Sequence, residues 1–187
     1  MAYKLNLGAG YSKYEGFLNV DNDVHCEPDY LLDIEKDKLP FDDNSVDEII
    51  LNHVLEHIGD GFFDLLKEIY RVSNSDVKIH IRVPHHRHDN FLNDPTHKRP
   101  ISVEIMKLFS KSHNKWSIAN NDSSSKLGLI YDVDFEIIDY GFSYDPMFQE
   151  MGDMAEKDPM IMKEFEKMVR INNNIIMETY ILLTVIK

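Results

Sequence analysis

The sequence predicts an α/β fold built on a doubly wound, mostly parallel sheet. One observation is a short apolar strand at residues 4–7 that leads directly into Gly8 and Gly10. Glycines at alternate positions permit a sharp turn and let a ligand approach the main chain without meeting a Cβ atom. The other observation is that strand, polar tip, amphipathic helix and strand follow one another over residues 45–83. This alternation is typical of a parallel sheet with helical crossovers.

The composition indicates a single globular domain. A chain of 187 residues with 43% hydrophobic content can bury one core, so we expect residues 1–187 to form one domain. Neither a secretory signal nor an apolar run long enough to cross a bilayer is evident, which predicts no membrane partner. Cys26 is the only cysteine and cannot form an internal disulfide, which fits a cytoplasmic location.

The charge is unevenly distributed. The net charge of −13 disfavours a protein that binds long nucleic acids, because phosphate neutralisation needs a clustered basic face. Residues 78–126, however, hold nine basic and four acidic side chains, a local charge of +5. This stretch is either an ordinary solvated face or a patch for an anionic substrate.

Acidic residues end two strands in the first part of the chain. Asp21 ends the second predicted strand, where open nucleotide-binding sheets place an acid that accepts hydrogen bonds from ribose hydroxyls. It follows Gly10 by only eleven residues, whereas a dinucleotide fingerprint needs about twenty, and Lys13 stands where that fingerprint has its third glycine. These departures disfavour an NAD-linked oxidoreductase.

The predicted elements of this part are strands at residues 16–21, 29–33, 45–51 and 77–83 and a helix at residues 62–72.

The second half predicts a terminal hairpin with a helical insertion. Residues 135–142 and 179–186 are strand-like, and we expect them to pair. Between them, residues 145–174 predict one or two methionine-rich helices, interpreted as core packing or as a lid or dimer surface. A helix is expected at residues 102–110, and residues 114–126 predict a mobile loop that Trp116 anchors.

Four segments of the first half together resemble the class I S-adenosylmethionine-dependent methyltransferases. They are Leu-Asn-Leu-Gly-Ala-Gly, Phe-Leu-Asn-Val-Asp, Leu-Pro-Phe-Asp-Asp-Asn-Ser-Val-Asp and Asn-His-Val-Leu-Glu-His-Ile, in the order and at spacings found in that family. The resemblance implies a Rossmann-like sheet of seven strands whose last two form an antiparallel hairpin. It also implies S-adenosylmethionine as the cofactor and S-adenosylhomocysteine as the product.

The resemblance assigns a cofactor role to several residues. Gly8 and Gly10 would approach the methionine part and the ribose, and Asp21 would take the ribose hydroxyls. Asp33 with Ile34 would lie against the adenine, and Asn52 with His53, at the tip of the fourth strand, would sit near the sulfonium. Asn6 stands where the family has an acid before the glycine turn.

Histidines supply the candidates for catalysis and acceptor binding. Histidine is the side chain whose ordinary pKa best suits a general base at neutral pH. The loop after the fifth strand should face the methyl group, because open α/β sheets bind ligands at the carboxyl ends of their strands. We therefore expect a base among His53, His85 and His97, and acceptor contacts from His86, His88, Lys98 and Arg99.

Two metal readings are considered, and neither is adopted. His53 and His57 flank Glu56, but their order is not that of a zinc-protease motif and no third ligand is evident nearby. Packing or helix capping is the favoured interpretation of this segment. The histidine-rich loop also suits a divalent metal, but substrate positioning, base catalysis or plain turn formation is favoured there.

The sequence thus predicts a methyltransferase that acts on an oxygen or nitrogen nucleophile of a small metabolite, anionic or sugar-containing. Three alternatives stay open: a cofactor-binding regulatory protein without catalysis, an RNA acceptor and a protein acceptor. Core packing is the favoured interpretation of the methionine-rich insertion, and a homodimer is expected only under the alternative in which the insertion is a dimer surface.

Overall fold

The computed structural model describes residues 2–187. Its seven strands are β1 (Tyr3–Leu7), β2 (Leu18–Asp21), β3 (Tyr30–Leu31), β4 (Val46–Asn52), β5 (Ser73–Pro84), β6 (Phe135–Tyr144) and β7 (Ile176–Val185). Its helices are α1 (Phe62–Val72), α2 (Asp89–Leu92), α3 (Val103–Lys107), α4 (Lys111–Ala119), α5 (Leu127–Tyr131), α6 (Gln149–Ala155) and α7 (Pro159–Ile171). Short 3₁₀ turns lie at Val24–Cys26 and Leu55–His57.

The strands form one sheet in the order β3-β2-β1-β4-β5-β7-β6. The first five strands pair in parallel, and β7 runs antiparallel to both β5 and β6. This arrangement confirms the expected α/β sheet with its antiparallel hairpin. The short β1–β2 connection contains turns and no helix.

The main core lies between the sheet and α1. Alternate residues of the central strands are buried, for example Ile49 and Leu51 on β4 and Ile79 and Ile81 on β5. The helix has the predicted bounds and buries one stripe toward these strands, consisting of Phe62, Leu65, Leu66, Ile69 and Val72. Its 3.6-residue periodicity therefore located it correctly.

Part of the predicted mobile loop is helical, so that prediction was wrong. The helix α4 occupies Lys111–Ala119, and Trp116 is 56% exposed on it and stacks on His113 instead of anchoring a loop to the core. Polar groups hold the helix: the Ser110 hydroxyl accepts a hydrogen bond from His113 N, and buried Asn114 donates to Leu108 O. Hydrophobic periodicity does not detect a helix that is stabilised in this way.

The insertion between the last two strands forms two helices, α6 and α7. They pack on the end of the hairpin in a second apolar cluster that includes Tyr144, Phe165 and Ile176. Most methionines of the insertion lie outside this cluster, and Met147 and Met160 are 87% and 80% exposed. Within residues 2–187, no helix has the length and apolar character that a membrane span requires.

We expect the insertion to unfold together with the sheet. Phe165→Ala should lower the free energy of unfolding by about 3 kcal/mol, because it leaves a cavity beside Tyr144. Met160→Ala on the same helix should change it by less than about 0.5 kcal/mol, since that side chain is exposed. Urea unfolding followed by circular dichroism measures both. Two separate transitions in the unmodified protein would contradict a single cooperative domain.

Candidate functional site

A cavity of about 280 Å³ opens at the carboxyl ends of β1, β2 and β4. Five of the eight predicted cofactor residues line it, namely Gly8, Asp21, Asp33, Ile34 and His53. The parallel register explains this convergence, because Leu7 at the end of β1 pairs with both Val20 on β2 and Leu51 on β4. The segments after these strands therefore emerge side by side.

The two glycines of the turn are required for different reasons. Gly8 has φ +64°, and a Cβ atom there would lie 2.6 Å from Val54 Cγ2. Gly10 has φ +50°, but a Cβ atom there would have no neighbour within 4 Å. Gly8 thus permits close packing against the tip of β4, whereas Gly10 leaves open space beside the main chain.

Asp21 connects the end of β2 to the glycine turn. Its carboxylate accepts hydrogen bonds from Gly10 N at 2.8 Å and from Asp23 N at 2.9 Å. Each carboxylate oxygen has a further lone pair, and the side chain is only partly buried at the cavity wall. Asp21 can therefore bind hydroxyl groups while it holds the turn.

The segment after β3 forms the opposite wall of the cavity. The Lys36 amine donates to Asp33 and holds the pKa of that carboxyl below its usual range, although partial burial opposes this effect. Beside it, Glu35 Oε1 accepts hydrogen bonds from Gly59 N and Gly61 N. Glu35 thereby joins this wall to the segment that precedes α1. No sequence signal distinguishes Glu35 from other acids in the chain.

Three predicted cofactor residues are not among those that line the cavity: Gly10, Asn6 and Asn52. Asn6 is 2% exposed, and its amide donates to Ser12 O and Asn19 Oδ1. These hydrogen bonds stabilise the glycine turn. Asn52 lines a separate hollow of about 580 Å³ together with Arg82 and Tyr180, and its Oδ1 is buried without a hydrogen-bond partner. The cavity residues that were not predicted mostly flank predicted ones: Asn22, Leu32, Glu35, Val54, His57 and Ile58.

His53 lies between two carboxylates at the tip of β4. It has φ +56°, its Nε2 lies 2.9 Å from Glu178 Oε1, and its Nδ1 lies 3.3 Å from Glu56 Oε1 without hydrogen-bond alignment. Glu56 first and Glu178 second raise the pKa of His53 above its ordinary value, against an opposing effect of burial. Glu178 is also bound by Arg82, which fixes its position on β7.

The histidines after β5 lie in unlike surroundings. His85 is buried, and desolvation, assisted by the neighbouring His86, Arg87 and His88, lowers its pKa to about 4. His86 is exposed and lies against His85. His88 caps α2, since its Nδ1 accepts a hydrogen bond from Asn90 N, and its Nε2 lies 3.4 Å from Asp145. His85 is therefore a weak base, and both ring nitrogens of His88 have protein partners.

The next part of this loop returns to the cavity. His97 packs its ring on that of His57, with ring centroids 4.7 Å apart. Lys98 is exposed, whereas the Arg99 guanidinium donates to Ile58 O and Gly59 O. Arg99 also stacks on the Phe62 ring, with 4.3 Å between guanidinium carbon and ring centroid. Arg99 thus binds the loop to the segment before α1. Lys98 is exposed and is the cation of the two that can contact a ligand.

Comparison with known proteins supports a methyltransferase. A family model described as a methyltransferase domain matches residues 16–81, which span β2 to β5 and include the tip of β4. The match covers about a third of the chain and supports a class I S-adenosylmethionine-dependent methyltransferase. No curated protein sequence matches this methyltransferase at a significant level.

Solved structures share the fold of this methyltransferase at low sequence identity. A SAM-dependent methyltransferase from Archaeoglobus fulgidus is 20% identical, with a TM-score of 0.59 over 98% of this chain and 86% of the other. A putative S-adenosylmethionine-dependent methyltransferase from Listeria monocytogenes is 13% identical, with a TM-score of 0.56 over 100% and 92%. The [4+2]-cyclase SpnF is also 13% identical, with a TM-score of 0.55 over 98% and 75%.

The cavity of the methyltransferase has features that suit the family's cofactor. The open space beside Gly10 leaves room for a ligand at the main chain, and Asp21 offers free lone pairs for hydroxyl groups. Leu32 and Ile34 supply an apolar wall for a flat base. These residues fit S-adenosylmethionine, whose amino-acid, ribose and adenine parts need such surroundings in that order.

The two glycines should differ in their effect on stability. Gly10→Ala should cost about 1 kcal/mol of unfolding free energy, because alanine is strained at positive φ. Gly8→Ala should cost about 2–4 kcal/mol, because its methyl group also meets Val54. Adding Val54→Ala to Gly8→Ala should restore part of that loss, measured by urea unfolding. Equal costs at the two glycines would contradict the proposed contact.

His85 should remain neutral down to about pH 4 in the folded protein. Its unfolded-state pKa is about 6.5, so the unfolded chain binds more protons between pH 6.5 and 4, and stability falls as the pH drops through that interval. A ¹⁵N-detected NMR titration measures the pKa directly. His85→Gln should flatten the acid part of the stability profile, whereas His25→Gln, at an exposed site, should not.

Proposed function

We propose that this methyltransferase methylates an oxygen or nitrogen atom of a small acceptor that binds above the carboxyl ends of β4 and β5. The observation that carries the proposal is the contact between His57, which lines the cofactor cavity, and His97 from the loop after β5. This contact brings the polar loop beside the cavity. An acceptor held by the loop then lies next to the end of the cofactor that reacts.

The sulfonium methyl of S-adenosylmethionine is an activated electrophile. The protein therefore needs mainly to hold the cofactor and align the nucleophile with the S–C bond. The glycine turn and Asp21 bind the cofactor in this scheme, and Ile34 supports the adenine. His53 is 40% exposed and offers Nδ1 to the acceptor, because its Nε2 is held by Glu178.

The loop charges favour an acceptor recognised through hydroxyl groups more than through several negative charges. Arg99 donates to main-chain carbonyls, and Arg87 donates to Val169 O and Arg170 O. These cations hold the loop and the insertion in place. Lys98 and the imidazoles of His53 and His86 remain for the acceptor, a set that suits a sugar-like metabolite with at most one anionic group.

A second candidate is a protein that binds the cofactor without transferring its methyl group. The similarity to the [4+2]-cyclase SpnF favours this second candidate, because that protein has the same fold but is named as a cyclase and not as a methyltransferase. A fold does not by itself determine the reaction of its site.

The cofactor part is tested with Asp21→Asn. This variant should bind S-adenosylhomocysteine at least about tenfold more weakly, because it loses the charge that strengthens hydrogen bonds to hydroxyl groups. Asp153→Asn on α6, an exposed carboxylate, is the matched control. Isothermal titration calorimetry measures both, and unchanged affinity in Asp21→Asn would remove Asp21 from the site.

The acceptor part is tested by incubating the protein with isotopically labelled cofactor and separate small-molecule, RNA and protein fractions. Mass spectrometry should detect one methyl group added to a small hydroxyl- or amine-bearing compound, and none with Asp21→Asn. Label in RNA or protein alone would replace the proposed acceptor class. Cofactor binding without label in any fraction would favour the non-catalytic candidate.

A further inference from the structure

Glu56 is a buried acid whose carboxylate oxygens both lack a hydrogen-bond partner among the residues that the structure describes. It lies in the 3₁₀ turn at the tip of β4, and the residue is 0% exposed. A buried carboxylate without partners costs free energy, so such groups are normally paired, protonated or bound to a metal. The nearest polar atom of His53 lies 3.3 Å away, out of hydrogen-bond alignment.

Two imidazoles lie near Glu56, and each has its Nδ1 engaged by a neighbouring oxygen. The His97 Nδ1 lies 2.7 Å from the Phe91 carbonyl oxygen, which only accepts, so Nδ1 carries the proton. The Thr96 hydroxyl donates to Asp94 and therefore accepts from His57 Nδ1 at 2.9 Å. Nε2 is therefore the ring nitrogen that each imidazole can offer to a ligand, and for His97 the Asp94 Oδ2 atom lies 3.9 Å from it.

The carboxylate and the two imidazoles converge. One ligand atom from each of Glu56, His57 and His97 lies within 4.8 Å of the others. Ligands bound to a common zinc ion at about 2.1 Å lie about 3–3.5 Å apart, so small side-chain rotations would complete the site. Two imidazoles with one carboxylate form a donor set of transition-metal centres, and Mg²⁺ and Ca²⁺ instead prefer oxygen ligands.

The surroundings of the two histidines are those of metal ligands. Histidine ligands commonly donate their second ring N–H to a carbonyl, a hydroxyl or a carboxylate, which fixes the tautomer and the ring orientation. His97 has the Phe91 carbonyl in this position, and His57 has Thr96, itself held by Asp94.

We propose that Glu56, His57 and His97 bind a divalent transition-metal ion, with zinc as the representative member. Three protein ligands leave at least one coordination position open. His57 lines the cofactor cavity, so that position faces the region of the acceptor. The proposal that the ion binds an acceptor oxygen rests on the proposed methyl transfer, whereas the proposal that the three residues bind a metal does not.

Metal binding is tested on chelator-dialysed protein without cofactor or acceptor. Titration with Co²⁺ should give one equivalent of bound ion with visible d–d absorption, and Zn²⁺ should displace it. Glu56→Gln and His97→Gln should each weaken Co²⁺ binding at least about 100-fold, because each removes a direct ligand. Thr96→Val should weaken it about tenfold, as expected when a partner that orients a ligand is lost.

The controls separate this site from other histidines. His25→Gln, exposed near β2, and His86→Gln, exposed in the loop after β5, should leave Co²⁺ affinity unchanged. Loss of binding in His86→Gln but not in His97→Gln would move the metal to the loop and overturn the proposal. Unaltered binding in both Glu56→Gln and His97→Gln, or no binding by the unmodified protein, would also overturn it.

Folding and the proposed function are monitored independently. Circular dichroism and S-adenosylhomocysteine affinity in metal-free buffer should be unchanged in His97→Gln, which provides a readable variant even if Glu56→Gln fails to fold. Normal cofactor binding without Co²⁺ binding would reject the metal site alone. Co²⁺ binding without cofactor binding would reject the methyltransferase site alone.

Discussion

The parallel pairing of β4 with β1 and β5 is the constraint on which the site depends. Leu51 lies opposite Leu7 on one side and Ile81 on the other, so β1 and β4 end within one residue of each other and β5 continues three residues beyond Ile81. The glycine turn, the tip of β4 and the histidine-rich loop must therefore leave the sheet together. Burial of alternate strand residues holds this register, because a shift by one residue would expose the whole buried face.

Buried carboxylates are concentrated just beyond this edge of the sheet. Glu178 is compensated by Arg82, by His53 and by hydroxyl groups of Ser143 and Tyr180. Glu56, in contrast, has no aligned hydrogen-bond partner among residues 2–187. Two acids of similar burial thus differ in how their charge is balanced. A polar group retained at such a cost is more informative about function than an exposed one.

The histidines are distinguished by the partners of their ring nitrogens. His88 uses both nitrogens within the protein, and buried His85 is a weak base, as its lowered pKa of about 4 shows. His57 and His97 each use Nδ1 in a hydrogen bond, and a ligand atom of each ring lies within 4.8 Å of Glu56. The local sequence does not distinguish these residues, because each is a histidine in a polar segment.

The sequence by itself determined the strands, the helix Phe62–Val72, the short β1–β2 connection and five of the eleven cavity residues. These features depend on local periodicity, on glycine and on acids at strand ends, which neighbouring residues reveal. Only the tertiary structure decided that Arg99 binds main-chain carbonyls, that the polar α4 is helical, and that His97 meets Glu56 and His57 from 40 positions along the chain. The path of a loop depends on hydrogen bonds between distant segments, and no periodicity in the sequence records them.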